Sequence, residues 1–336
     1  MATHPTDWFR DAKWGVFFHY LASPASSNNA PSMTVDDWNR RIDGFDVDTL
    51  ASQLAEVGAG YFFLTLGQNS GFYLSPNATY DRIVGRTPSR LSRRDLVADL
   101  AASLGRYDIP LLVYFTALGP GQDPEALTKL KCAPPWRPHC ALAATRDQVQ
   151  GCADERLTEF QQLWESVIRE WSLRWGRNVR GWWIDGAYYA DKMYRFPDAP
   201  NFASFTAAMK AGNPASLVCY NPGVKIPVIK HAPEEDYTAG EVANSLPVSV
   251  NPGPPSTWAP MLNRFLDGAQ YHLLTFLGGY WGRGEPRFTA EMLAAYTRYV
   301  NDFGGVITWD VPPAENGTIP DSFLPLLRSL RTATRE

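Results

Sequence analysis

Eight short apolar runs alternate with amphipathic segments along 336 residues, and neither G-x-G-x-x-G after a strand nor G-x-x-x-x-G-K occurs. These observations predict an α/β fold: a single parallel (β/α)8 barrel of the TIM type over residues 1–336, rather than an open doubly wound sheet. All of them but the sixth are apolar at nearly every position, as strands buried on both faces must be. The length alone would allow two domains, but no linker and no repeat divides the chain.

Trp14–Tyr20 (WGVFFHY) reads as the first strand, Tyr61–Leu66 as the second and Ile109–Phe115 as the third. GWWID, ending at Asp185, is the fourth, and Ser216–Asn221 the fifth. DYTAGE, ending at Glu241, falls at a sixth strand end; Tyr271–Gly278 and Gly304–Asp310 complete the set. Helices separate them. FDVDTLASQLAEVGA opens on aspartates and stops on glycine, the usual start and stop chemistry. LSRRDLVADLAASLGRY, DERLTEFQQLWESVIREWSLRWG, FASFTAAMKAGN, TAEMLAAYTRYVNDFG and the closing FLPLLRSLR are helical in the same sense. Two irregular segments, residues 119–152 and 242–260, interrupt the alternation; the second, rich in proline, reads as a loop over one barrel end.

Composition narrows the function. The net charge is −4, which gives no basic surface for nucleic acid. No run of eighteen apolar residues predicts a membrane span, and the first residues lack a signal-peptide core. As written the chain reads as cytosolic, or as secreted or periplasmic if a leader was removed. Cys132, Cys140 and Cys152 share one polar stretch without C-x-x-C spacing, which points away from zinc. One loop disulfide among them, or free thiols, are both open. Twelve Trp, fifteen Tyr and seventeen Phe suit either core packing or stacking on sugar faces.

A barrel enzyme works at the carboxyl ends of its strands. Those ends offer His19 and Tyr20, Gln68 and Asn69, Tyr114, Asp185, Tyr220 and Asn221, Glu241, Trp309 and Asp310. Carboxylates, amides, one histidine and rings fit a carbohydrate better than a phosphate, which would want arginines or lysines. Two-histidine metal spacing is absent, and no metal ligand set is predicted. In GWWIDGAYY an apolar strand delivers Asp185 to the barrel mouth, and Gly186 turns the chain away. A helix N-cap is the alternative reading of Asp185. Trp281 in GGYWGRG either lines the pocket or packs a loop, and Tyr188 and Tyr189 either face the site or pack a helix. His272 reads as a core residue, Asn221 as a turn residue, and Asp310 as a cap before Pro312.

Five segments in order carry a resemblance. WFRDAKWGVFFHY resembles W-F-x-x-A-K-F-G-x-F-x-H-W of the family 29 glycoside hydrolases, the α-L-fucosidases. AGAGYFFLTLGQNSGF resembles A-G-A-K-Y-x-x-L-T-x-K-H-H-D-G-F, and GWWIDG the strand-end W-F-D-G. DYTAGE is similar to D-Y-x-T-P-E, and ITWDVPPAENGTIP to L-L-N-V-x-P-x-x-D-G-x-I-P. The resemblance covers residues 8 to about 330. It implies a retaining exo-glycosidase, α-L-fucosidase-like, with Asp185 as nucleophile and His19 as a sugar-hydroxyl contact. The second carboxyl is expected in Glu241, with Glu234, Glu235 and Glu285 as alternatives. Tyr20, Gln68, Asn69, Tyr114, Trp281 and Trp309 are the further substrate contacts expected. No cofactor is implied, and the partner is an oligosaccharide or glycoconjugate.

Departures are specific. Gln68, Asn69 and Ser70 replace the paired histidines and their neighbours; amides still exchange hydrogen bonds with hydroxyls but bind another pattern. The W-E-T segment is missing, and no C-terminal β-sandwich is expected because the chain ends soon after the barrel. A related L-galactoside or arabinopyranoside is therefore as open as a fucoside. A barrel that binds glycans without cleaving them is the alternative from another class. A free-sugar isomerase or lyase ranks last, for want of a metal triad or a lysine base.

Overall fold

The computed structural model describes residues 4–25, 32–132, 156–187, 191–248 and 263–333. Eight strands form one parallel sheet: β1 (Trp14–Phe18), β2 (Phe62–Thr65), β3 (Leu111–Thr116), β4 (Val179–Asp185), β5 (Leu217–Tyr220), β6 (Glu241–Ala243), β7 (His272–Phe276) and β8 (Val306–Asp310). Their order across the sheet is β5-β4-β3-β2-β1-β8-β7-β6. This is the cyclic order of an eight-stranded barrel, but β5 and β6 form no ladder, so the expected closed barrel is open at that seam.

The physical reason lies in the approach to β6. Asp236 donates its N–H to Val218 O (2.9 Å) and takes the Val218 N–H on Oδ2 (2.9 Å), while Glu235 Oε1 accepts the Tyr220 N–H (2.7 Å). Two carboxylates thus satisfy the free edge of β5 where a neighbouring strand would. A buried strand edge must find such partners.

The sequence chemistry that makes the helices is visible at their ends. Thr34 and Asp37 form a reciprocal capping box at the helix Val35–Asp43. Asp46 caps Val47–Val57, and Gly58 ends it in the left-handed conformation. Both devices satisfy end groups that the helix itself leaves unpaired. The long helix Thr158–Trp175 lays Phe160, Trp164, Val167, Ile168, Trp171 and Trp175 against the outside of the sheet.

Pleat alternation sorts each strand between two cores. Phe17, Phe63, Leu112, Tyr114, Trp183, Leu217, Cys219, Leu274 and Phe276 point inside, where Phe9 plugs one end against Tyr61 and Tyr237. Val16, Phe18, Phe62, Leu64, Val113, Trp182, Ile184, Val218 and Trp309 point out, under the helices. His272 also lies inside, fully buried, with its ring bonded to Thr238 O and Thr308 Oγ1; burial holds its pKa down at about 4. It is the core histidine that its place in an apolar strand suggested.

Cys132 and Cys219 are buried and bonded to no other described cysteine. Cys140, Cys152, Tyr188, Tyr189 and the STWAP segment lie outside the described residues. No helix among the described residues is long and apolar enough to cross a membrane.

Candidate active site

The inward parity of the strands, continued one residue past their ends, brings six polar groups together. On β1 the inward Phe17 is followed two residues later by His19. On β4 the inward Trp183 is followed by Asp185, after β5 Cys219 is followed by Asn221, and on β8 Asp310 faces inward. Glu241 opens β6 rather than ending it, and Tyr114 is the inward residue of β3. His19, Gln68, Tyr114, Trp183, Asp185, Glu241 and Trp281 line one pocket, with Ala25 and Leu274, holding about 420 Å³ of space that opens to solvent.

Asp185 is surrounded by donors. Gly186 N–H (2.8 Å) and Asn221 Nδ2 (2.9 Å) donate to Oδ1, and the Tyr114 hydroxyl donates to Oδ2. Gly186 has a φ of 77°, the left-handed turn that lets the chain leave the strand and aim its amide back at the carboxylate. Asn221 Nδ2 also donates to Glu241 Oε2 (2.6 Å). The amide is held the right way round because its Oδ1 accepts the Gly223 N–H (3.0 Å). Asn221 therefore fills the turn role expected of it and a site role together.

Glu241 is part-buried, and burial pushes its pKa up to about 7. The charge of Asp185 adds to the rise; the Asn221 bond and the nearby His19 oppose it. Two carboxyls thus differ in environment: one ringed by donors, one buried beside a negative charge.

His19 stands on the other wall. Its Nδ1 bonds Asp310 Oδ1 (2.8 Å), and Asp310 Oδ2 accepts the Gly282 N–H (2.6 Å). Asp310 is fully buried, so its acceptor role fixes the His19 ring and leaves Nε2 toward the pocket. Phe17 and Trp281 flank the ring at 4.5 and 5.6 Å. Tyr114 stacks on Trp183 at 5.3 Å, and Trp183 is anchored through Nε1 to Ala239 O.

Other residues expected at the site lie elsewhere. Tyr20, one step beyond His19, faces outward: its ring is buried on Phe45 and its hydroxyl donates to Glu315 O (2.7 Å). Trp309, one step before Asp310, also faces outward, against Phe288 and Tyr296, with its indole N–H on Thr297 Oγ1. Asn69 lines a smaller adjoining cavity with Gln68, Ser70 and Gln122. Among the alternative acids, Glu285 is exposed on its loop. Glu235 is buried away from the pocket lining, with Tyr220, His231 and Ala232 amides on its oxygens. Glu234 does not line the pocket either.

Trp183 is absent from the strand-end residues the sequence offers, and Asp310, which is among them, reads there as a cap. Parity would have found both: Trp183 is two residues before Asp185, and Asp310 is on the face opposite Trp309.

No family model matches the chain, and no curated protein matches it. Solved structures do. An endo-fucoidan hydrolase of glycoside hydrolase family 107 superposes with a TM-score of 0.68 at 17% identity, covering 99% of this chain and 54% of the other. The chain thus spans about half the length of that structure. A family 29 α-L-fucosidase of Bacteroides thetaiotaomicron, trapped as a covalent intermediate, gives 0.61 at 16% identity, covering 100% of this chain and 75% of that one. The α-L-fucosidase AlfC gives 0.60 at 14%, covering 98% and 97%. At these identities the likeness establishes the α/β barrel-type fold and nothing finer.

Proposed function

We propose that the chain is one catalytic barrel domain of a retaining glycosidase. Its substrate in this reading is a terminal α-L-fucosyl residue or a related L-galactosyl or arabinopyranosyl one. Asp185 attacks the anomeric carbon and forms a glycosyl ester. Glu241 gives its proton to the leaving oxygen, then takes one from the water that hydrolyses the ester. His19 Nε2 bonds a sugar hydroxyl, and Trp183, Tyr114 and Trp281 supply the apolar wall for the ring.

The observation that carries this reading is the shared donor: Asp185 Oδ1 and Glu241 Oε2 both bond Asn221 Nδ2. The two oxygens are then no further apart than the sum of those bond lengths. That limit on their facing oxygens suits a close carboxyl pair, as retaining enzymes hold at roughly 5–5.5 Å. Fold likeness to fucoidan hydrolases and α-L-fucosidases, together with the ordered family 29-like segments, supports the sugar class.

The test is release of nitrophenol from a panel of aryl glycosides, α-L-fucoside, α-L-galactoside and α-L-arabinopyranoside included, by wild type and Asp185→Ala. Fucoidan, followed by the release of reducing ends, belongs beside the panel, because endo-fucoidan hydrolases are among the fold neighbours. Turnover of one member that vanishes in the variant supports the reading; turnover unchanged in Asp185→Ala sinks it. Neutral Gln68 and Asn69 in place of histidines favour a second reading, a barrel that binds glycans without cleaving them. Glycan binding with silence across the panel would mark that outcome.

A further inference from the structure

Gln68 occupies a position the resemblance gives to a charged or ionisable residue, and its neighbours show what an amide does there. Gln68 Nε2 lies 2.6 Å from the Tyr114 hydroxyl oxygen, and that hydroxyl also bonds Asp185 Oδ2. An amide nitrogen only donates, and a carboxylate only accepts. Turned the other way, the Gln68 amide would set two acceptors against the hydroxyl's single hydrogen. The network therefore has one consistent direction, from Gln68 to Tyr114 to Asp185.

We infer that Gln68 is a positioning residue: by occupying the lone pair of the Tyr114 hydroxyl, it commits that hydroxyl's proton to Asp185. The consequence reaches Glu241. With Tyr114, Gly186 and Asn221 all donating to Asp185, the carboxyl pair keeps its one exchangeable proton on Glu241. The groups facing the pair are Tyr114 from β3, Asn221 after β5 and His19 after β1, with Asp310 behind His19. None of these but Tyr114 depends on Gln68. The direction of the relay follows from the Gln68 amide as donor and an ionised Asp185 as acceptor; only its catalytic meaning rests on the glycosidase reading.

Carboxyl 13C NMR across pH 4–9 tests it on the whole chain without any substrate. In wild type the Glu241 carbon titrates and the Asp185 carbon stays flat through that step. Gln68→Glu keeps the side chain's shape but turns it into an acceptor that draws the Tyr114 proton away. The Asp185 carbon then moves together with the Glu241 step, since the pair shares its proton. Gln68→Leu gives the same change to a smaller extent. In a Tyr114→Phe background, Gln68→Leu leaves the titration unaltered, because the relay is already broken. An Asp185 carbon that stays flat in folded Gln68→Glu overturns the inference. So does a Gln68→Leu effect of equal size with and without the Tyr114 hydroxyl. The glycoside panel judges the glycosidase reading separately, so either can fail alone.

Discussion

Asp185 and Glu241 meet on one nitrogen, Nδ2 of Asn221, with bonds of 2.9 and 2.6 Å. The amide carries no charge, so it holds two carboxyls near each other without neutralising either. Asn221→Leu keeps the volume and removes the donor. The Glu241 proton should then be held to higher pH, because the lost bond is one that opposes its raised pKa. The freed Gly223 amide and the two carboxyls lose partners, at a cost of about 1–3 kcal/mol. Urea unfolding at pH 7 and the NMR titration measure both effects; an unmoved Glu241 step would contradict the bridge.

Under the proposed mechanism, Glu241 must carry a proton when substrate arrives. Its pKa of about 7 predicts a fall in kcat/KM as pH rises through that value. Glu241→Gln should abolish that limb and lower turnover of poor leaving groups by about 10²–10⁴-fold. Activated aryl glycosides should suffer less, since they need little protonation. A limb that survives in Glu241→Gln assigns it to another group.

Glu235 offers a prediction about stability. Burial pushes its pKa up to about 8, against three backbone donors that favour the anion. The folded state therefore holds this proton more tightly than the unfolded chain does. That contribution is complete below about pH 4.5 and is lost as pH rises through about 8. Glu235→Gln should flatten the decline in unfolding free energy over that window, leaving the part due to Glu241 up to about pH 7. Each coupled proton changes the slope by up to about 1.4 kcal/mol per pH unit. Denaturant midpoints at several pH values read it, and parallel curves for the two proteins would refute it.

Gly240 sets the approach to Glu241. Its φ is 62°, and a Cβ there would sit 1.9 Å from the His272 carbonyl oxygen. Backbone blocks backbone, so no rotamer relieves the clash. Gly240→Ala should cost more than the roughly 1–3 kcal/mol of left-handed strain alone and should carry Glu241 out of reach of Asn221. Loss of both thermal stability and any glycosidase activity is expected. Wild-type stability in this variant would mean that β6 tolerates a shift.

Much of this architecture is legible in the chain. Tyr61–Leu66, Ile109–Phe115 and Gly304–Asp310 read as strands, and β2, β3 and β8 fall within a residue or two of them. Short helices such as Ala78–Val84 and Pro124–Lys129 escaped the periodicity, because one or two turns give it too few positions to register. The expectations for Tyr20 and Trp309 placed them at the correct strand ends but on the wrong face. A one-residue step along a strand reverses the side chain, so adjacency to His19 or Asp310 sends each ring outward.

The sequence by itself determined that seven apolar runs would pair as parallel strands and that Asp185 would emerge at the end of one. Composition and local pattern suffice for that, since a run without polar positions has to be buried on both faces. Tertiary structure alone decided that Glu241, among four candidate glutamates, would face Asp185, that one asparagine would bridge them, and that the β5–β6 seam would stay open. These outcomes depend on strand register, on pleat parity across separate strands and on which backbone amides lack a neighbour. All are relations between segments far apart in the chain, which a local pattern does not encode.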